Sequence, residues 1–119
     1  MRIRNLLGIT LLALAFNACL YNNEEVLTGS CDTSAVKYST EVAVIMDENC
    51  NGCHSTDQHQ GGVVLDNYAK TVSYVKNGRL MGSILHKYGY DAMPKGASKL
   101  DNCSISKLKA WIDAGYPNN

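Results

Sequence analysis

The sequence predicts an all-α domain. Apolar residues recur at spacings of three and four along several segments, which is the periodicity of an amphipathic helix. Glycine and proline, the usual helix stop signals, close most of these segments. No segment alternates between apolar and polar residues for long enough to predict a strand. We therefore expect about four helices, with long loops after Cys53 and around Met93.

The first helix is expected over residues 40–49, with Ser39 or Thr40 as its N-cap. It would run directly into the segment CNGCH (50–54). One face of this helix carries apolar residues at positions i, i+3 and i+4, namely Val42, Ile45 and Met46.

Two further helices follow a polar loop that ends on two glycines. The second is expected over residues 67–78, with Asp66 as its cap and Gly78 as its stop. The third is short, covers residues 78–89 and also ends on a glycine.

The last helix has the clearest pattern. Pro94 and Gly96 break any helix in the preceding segment, 90–101, which is therefore expected to be a loop. The helix then begins at Asn102 or Ser104, and a glycine and a proline close it. Its apolar stripe consists of Ile105, Leu108, Trp111 and Ile112.

Residues 1–18 predict a signal peptide. Two arginines precede an apolar stretch, LLGITLLALAF, which is too short to span a bilayer but is typical of an export signal. Phe16 is too large for the −3 position of signal peptidase I, whereas a lipoprotein signal tolerates an apolar residue there and requires a following cysteine. The stretch FNAC (16–19) therefore resembles a lipobox, and we expect a lipid on Cys19. Simple secretion is the alternative.

The predicted organisation is a signal peptide (1–18), a lipidated cysteine with a flexible tether (19–30) and one domain (31–119). Removal of residues 1–18 takes away two arginines and no acidic residue, which leaves nine basic against eleven acidic residues. This balance gives no indication of a nucleic-acid partner. We expect an exported protein that is lipid-anchored to a bacterial membrane and faces the periplasm or the cell surface.

The segment CNGCH (50–54) allows several chemistries. A thioredoxin-like CxxC lies between a strand and a helix, but here a helix leads into the motif. A structural zinc site needs four ligands, commonly in two closely spaced pairs, and the domain's other cysteines, Cys31 and Cys103, are single and far apart. A disulfide or a pair of buried thiols beside an incidental histidine also remains possible.

Attachment of haem c explains the spacing of the motif best. Thiols three residues apart lie about one helical turn from each other, so Cys50 and Cys53 can each add to one vinyl group of the same porphyrin. His54, the next residue, is then placed to bind the iron. Covalent attachment also suits an exported chain, from which a loosely held haem would be lost.

The chain as a whole resembles a mono-haem class I cytochrome c, in particular the planctomycete-type cytochrome c domain of bacterial lipoproteins. The similarity covers residues 31–119. It is carried by the segments CNGCH (50–54), GGVVLDNYA (61–69), GRLMGSI (78–84), AMPKG (92–96) and KAWIDAGYPNN (109–119).

The resemblance implies one covalent haem c, thioether bonds from Cys50 and Cys53, and His54 and Met93 as axial iron ligands. It also implies electron transfer to redox partner proteins. Met93 lies on a loop that Pro94 keeps from being helical, so its flexible thioether could reach the iron. His86 is the rival for the sixth position, although it falls in a predicted helix.

The chain departs from the class I pattern behind the axial histidine. Many class I cytochromes place a proline soon after CxxCH, and its carbonyl orients the histidine. Here the prolines are Pro94 and Pro117. We therefore expect another acceptor for the Nδ1–H of His54, such as a backbone carbonyl in the QGG stretch, 60–62.

A disulfide is expected between Cys31 and Cys103. Lipid and haem would use the other three cysteines, and an exported compartment is oxidising. In the fold that the resemblance implies, the segments bearing Cys31 and Cys103 pack against each other.

Three functions remain open at this point. The leading hypothesis is a membrane-anchored electron carrier rather than an enzyme. The second is a sensor or enzyme with five-coordinate haem, although the chain has a single CxxCH and no candidate acid–base cluster. The third is a haem-free binding module that is cross-linked by disulfides.

Overall fold

The computed structural model of this protein describes residues 30–119. The predicted signal peptide (1–18), the predicted lipid site at Cys19 and the tether up to residue 29 lie outside the described residues. Residues Cys31–Asn119 form one compact unit.

Every regular element of residues 30–119 is helical, and none of them is a strand, so the all-α prediction is confirmed. No helix in this part of the chain has the length and apolar character needed to cross a membrane. The elements in chain order are a π-helical turn, Tyr38–Val42; helix α1, Ala43–Asn49; helix α2, Asn51–His54; a 3₁₀ turn, Gln60–Gly62; helix α3, Tyr68–Lys76; helix α4, Arg79–Ile84; and helix α5, Asn102–Asp113.

The first helical segment is not capped as predicted. Neither Ser39 nor Thr40 supplies a side-chain cap, and the residue that precedes the π-helical turn is Lys37. The amide of Lys37 donates to the Glu41 carboxylate over 2.8 Å, and the Thr40 hydroxyl donates to the same oxygen over 2.6 Å. The first amides of the turn are satisfied from the end of the chain instead: the amide of Tyr38 donates to the Asn119 side-chain oxygen, and the amide of Ser39 donates to the Asn119 carbonyl, each over 2.9 Å.

The cap of α3 is Asn67 rather than Asp66. The Asn67 side chain accepts a hydrogen bond from the amide of Lys70 over 3.1 Å. Asp66 instead accepts from the amide of Thr56 over 2.5 Å. Asp66 thereby closes the loop that follows CNGCH. That contact spans ten residues, and helix-capping rules therefore could not predict it.

Helix α4 is shorter than predicted, since it ends at Ile84 and not near Gly89. His86 has a left-handed backbone, with φ of +52°, which no continuing α-helix allows. Helix α5 begins at Asn102, one of the two predicted starts, with Asp101 as its cap.

The core consists of the apolar faces of these helices together with two leucines of the connecting loops, Leu65 and Leu100. The predicted faces are largely confirmed: Val42, Ile45 and Met46 of the first segment are buried, as are Leu108 and Trp111 of α5. The other members of the α5 stripe, Ile105 and Ile112, are partly buried against this core. The remaining buried apolar residues are Leu65, Val72, Leu80, Ile84 and Leu100.

Trp111 anchors the end of the chain. The Trp111 indole is fully buried beside the rings of Tyr38, Tyr68 and Tyr116. Its Nε1–H donates to the carbonyl of Pro117 over 2.9 Å, so the residue contributes both packing and a satisfied polar contact. Trp111 does not line the cavity described below, and its contacts are those of a core residue.

Cys31 and Cys103 form a disulfide, which is the pairing expected from the sequence. The bond links the first residue of the compact unit to the first turn of α5 across 72 residues of chain.

Candidate functional site

A cavity of about 620 Å³ lies beside CNGCH. It is bordered by α2, the 3₁₀ turn, α3, α4 and the loop that follows α4. Cys50, Cys53, His54 and Met93 all line it. The structure therefore brings together at one cavity all four residues that the sequence assigned to haem binding.

The cavity distinguishes between the possible iron ligands. Of the three histidines and three methionines within residues 30–119, only His54 and Met93 are among the lining residues. Met46 is buried in the core, as its place on the apolar face of the first helix predicts, and Met81 packs against that core. The ring of His59 lies 3.0 Å from the carbonyl of Thr56 and does not line the cavity.

Helix α2 places the two thiols of the motif on one helical turn. The amide of Cys53 donates to the carbonyl of Cys50 over 3.1 Å, and the amide of His54 donates to the same oxygen over 2.9 Å. Both cysteines are free. Cys53 is exposed, whereas burial of Cys50 raises the pKa of its thiol to about 11, so this group is a neutral thiol at pH 7.

A backbone carbonyl orients the His54 ring. The Nδ1 atom of His54 lies 3.2 Å from the carbonyl oxygen of Gln60. Because a carbonyl can only accept a hydrogen bond, Nδ1 carries the hydrogen and Nε2 keeps a lone pair for a metal. The expected acceptor in the QGG stretch is therefore present. The 3₁₀ turn that holds the Gln60 carbonyl depends on Gly61 and Gly62, whose φ angles of +65° and +72° favour glycine.

The backbone of Met93 is held on both sides. Its amide donates to the carbonyl of Ser83 over 3.1 Å, and its own carbonyl lies 3.0 Å from Nε2 of His86. Met93 and His86 are both half-buried, but only Met93 of the two lines the cavity.

The walls of the cavity include residues that the sequence did not single out. The Arg79 guanidinium lies 5.6 Å from the centre of the Tyr74 ring and has no carboxylate partner among residues 30–119. The Tyr90 ring packs on Gly82 so closely that a Cβ at residue 82 would lie 2.5 Å from three ring atoms. No local pattern predicts these placements, because they depend on how α3, α4 and the following loop pack. Apolar side chains complete the wall: Val63, Leu80, Ile84 and Leu100.

The alternative chemistries of CNGCH find less support. Among the described residues, no three His, Cys, Asp or Glu side chains converge in the arrangement that a zinc ion requires. A helix precedes the CxxC and no described element is a strand, unlike the setting of a thioredoxin motif.

Neither a protein-family model, nor a curated protein, nor a solved structure matches this chain. The interpretation of the site therefore depends on its own residues and geometry.

Proposed function

We propose that this protein is a mono-haem c-type cytochrome that carries electrons. Cys50 and Cys53 hold haem c through thioether bonds, and His54 and Met93 are its axial ligands. The observation that carries the proposal is the convergence of these four side chains on one cavity of about 620 Å³. This volume falls within the range of about 300–1,000 Å³ typical of sites for small molecules and cofactors.

The donor set fits the cofactor. His54 presents its Nε2 lone pair, because its Nδ1–H is bonded to Gln60. Met93 supplies a soft thioether sulfur, which favours ferrous iron and raises the reduction potential relative to a second imidazole. Arg79, a cation on the cavity wall without a carboxylate partner in residues 30–119, could pair with a haem propionate.

When bound, haem supplies one iron that alternates between the ferric and ferrous states. The chain's own residues decide what that iron can do. If both His54 and Met93 bind the iron, they would leave it no position for oxygen or peroxide, which favours electron transfer over catalysis. Val63, Leu80 and Ile84 would place apolar side chains against the haem, and an apolar surrounding tunes its reduction potential.

The cellular setting of the proposal comes from the sequence. We propose a small fold of the class I cytochrome c type, lipid-anchored through Cys19 and exposed to redox partner proteins in the periplasm or at the cell surface. The helical fold around the cavity supports the part of this proposal that concerns the fold. A five-coordinate sensor or enzyme would need a free iron position, which Met93 at the cavity disfavours.

Covalent attachment is the first test. After expression in a host that attaches haem c, acid–acetone extraction should leave the haem on the polypeptide. The variant C50A/C53A should lose covalent haem. The matched variant C31A/C103A, which removes the other cysteine pair of the domain, should keep it. Extraction of haem from the wild-type protein into the solvent would refute the proposal.

Axial ligation is the second test. Ferric wild-type protein should show the weak far-red sulfur-to-iron charge-transfer band. Met93→Ala should abolish this band and allow ferrous iron to bind carbon monoxide. Met81→Ala, a change at a methionine outside the cavity, should do neither. Rapid binding of carbon monoxide to the wild-type protein would favour the sensor or enzyme instead.

A further inference from the structure

The loop that carries Met93 is hydrogen-bonded, through the Met93 backbone, to α4 and to the residues that follow it. The Met93 amide donates to the Ser83 carbonyl, and the Met93 carbonyl lies 3.0 Å from Nε2 of His86. The other hydrogen bonds described within residues 91–99 are local, such as that between the Ala97 amide and the Pro94 carbonyl. The backbone is thus held most firmly at the residue whose side chain lines the cavity.

His86 has an uncommon conformation that makes this contact possible. It follows α4 with φ of +52°, a region that few residues other than glycine adopt. Its amide donates to the carbonyl of Ser83, the same oxygen that accepts from the Met93 amide. The left-handed turn thus returns the chain after α4, and the half-buried ring of His86 meets the Met93 carbonyl.

We infer that His86 is a positioning residue for Met93, and that its Nε2–H holds the Met93 carbonyl so that the thioether stays directed at the cavity. This inference rests on the proposed function. Because the carbonyl can only accept, Nε2 of His86 carries a hydrogen and offers no lone pair. His86 therefore supports the sixth ligand instead of competing with it. Fixing the amide and the carbonyl of one residue leaves its side chain few ways to withdraw from the iron.

The test compares His86→Phe with His86→Gln in the ferric holoprotein. Phenylalanine keeps a planar ring but has no donor, whereas glutamine keeps an N–H donor. The readouts are the intensity of the far-red charge-transfer band and the rate at which cyanide binds to ferric iron. This rate reports how often Met93 leaves. His86→Phe should weaken the band and raise the cyanide rate about two- to tenfold, the factor that corresponds to the loss of one hydrogen bond. His86→Gln should stay close to wild type.

His59→Phe is the matched control. This histidine also bonds a backbone carbonyl, that of Thr56, but it is exposed and lies outside the cavity wall. Its substitution should change neither readout. Thermal unfolding of each variant separates a general loss of stability from a specific effect on Met93.

The inference is overturned if His86→Phe leaves the cyanide rate unchanged, or if His86→Gln raises it as much as His86→Phe does. If His86→Phe fails to fold, His86→Glu takes its place beside His86→Gln, since the carboxylate has a similar shape without a donor. A wild-type protein with covalent haem but no charge-transfer band would overturn this inference and leave the cytochrome assignment standing. Extractable haem would overturn the proposed function.

Discussion

Substitution of Gly61 by alanine should weaken the turn that orients His54. Gly61 has φ of +65°, and a Cβ built there meets no atom within 4 Å. The effect is therefore one of backbone conformation and not of a steric clash. A left-handed conformation costs a residue with a side chain about 1–2 kcal/mol, and the lower entropy of the unfolded alanine variant offsets part of this. We expect Gly61→Ala to lower the free energy of unfolding by about 1 kcal/mol.

The same substitution should be visible at the haem. The carbonyl that accepts from His54 belongs to Gln60, so rotation of the Gly61 backbone moves that oxygen away from Nδ1. His54 then loses an acceptor that raises the basicity of its ring. A less basic ligand stabilises ferric iron less, and we expect the reduction potential to rise.

Gly115→Ala is the matched control for this experiment. Gly115 also has a positive φ, +86°, and open space around the Cβ position, but it follows α5 and does not line the cavity. Urea unfolding followed by circular dichroism should show a similar loss of stability in both variants. Potentiometric titration should show a changed potential in Gly61→Ala alone. Equal potentials in the two variants, or an unchanged stability of Gly61→Ala, would refute the reasoning.

Three further changes test the cap of α5, the disulfide and the lipid anchor. Hydrogen bonds from the side chain and the amide of Ser104 lower the pKa of Asp101 in the folded protein. The Asp101 carboxylate therefore stabilises the fold fully above the pKa of the unfolded chain, about 3.9, and this stabilisation is lost as the pH falls through the lower pKa of the folded protein. In urea unfolding from pH 7 to pH 2, Asp101→Asn should therefore lose less stability than wild type below about pH 4, and parallel curves would contradict this. Replacement of Cys31 and Cys103 by alanine should lower the free energy of unfolding by at most about 4 kcal/mol, because the disulfide joins residues 72 positions apart. Thiol titration of the denatured, unreduced wild-type protein should detect no free thiol at Cys31 or Cys103. Cys19→Ser should move the protein from the membrane to the soluble fraction, and unchanged membrane retention would count against lipidation.

Helix caps show where sequence rules stop being sufficient. Asp66 and Asn67 are adjacent, and both residue types are good N-caps. The structure uses Asn67 as the cap because Asp66 is engaged with the amide of Thr56, ten residues earlier. The same holds for the first helical segment, where Asn119, and neither Ser39 nor Thr40, accepts from the first amides. In each case a partner outside the local pattern decided between acceptable residues.

The carbonyl partner of His54 could be anticipated because it lies only six residues further along the chain. The absence of a proline soon after CNGCH pointed to the QGG stretch, and the structure places the Gln60 carbonyl there. The prediction that His86 lies in a helix was wrong, because its conformation depends on contacts outside its own segment. Its spacing suggested a helical residue, but the left-handed turn after Ile84 brings its ring to Met93.

Local sequence patterns were enough to predict the helical class, the main apolar faces and the spacing of Cys50, Cys53 and His54. These features depend on contacts within a few residues, and backbone geometry makes such contacts regular. Packing of the helices was needed to show that Met93, and neither Met81 nor His86, shares a cavity with CNGCH. The position of Met93 depends on how α4 packs and on the hydrogen bonds that join the following loop to α4. The spacing of residues along the chain predicts neither of these.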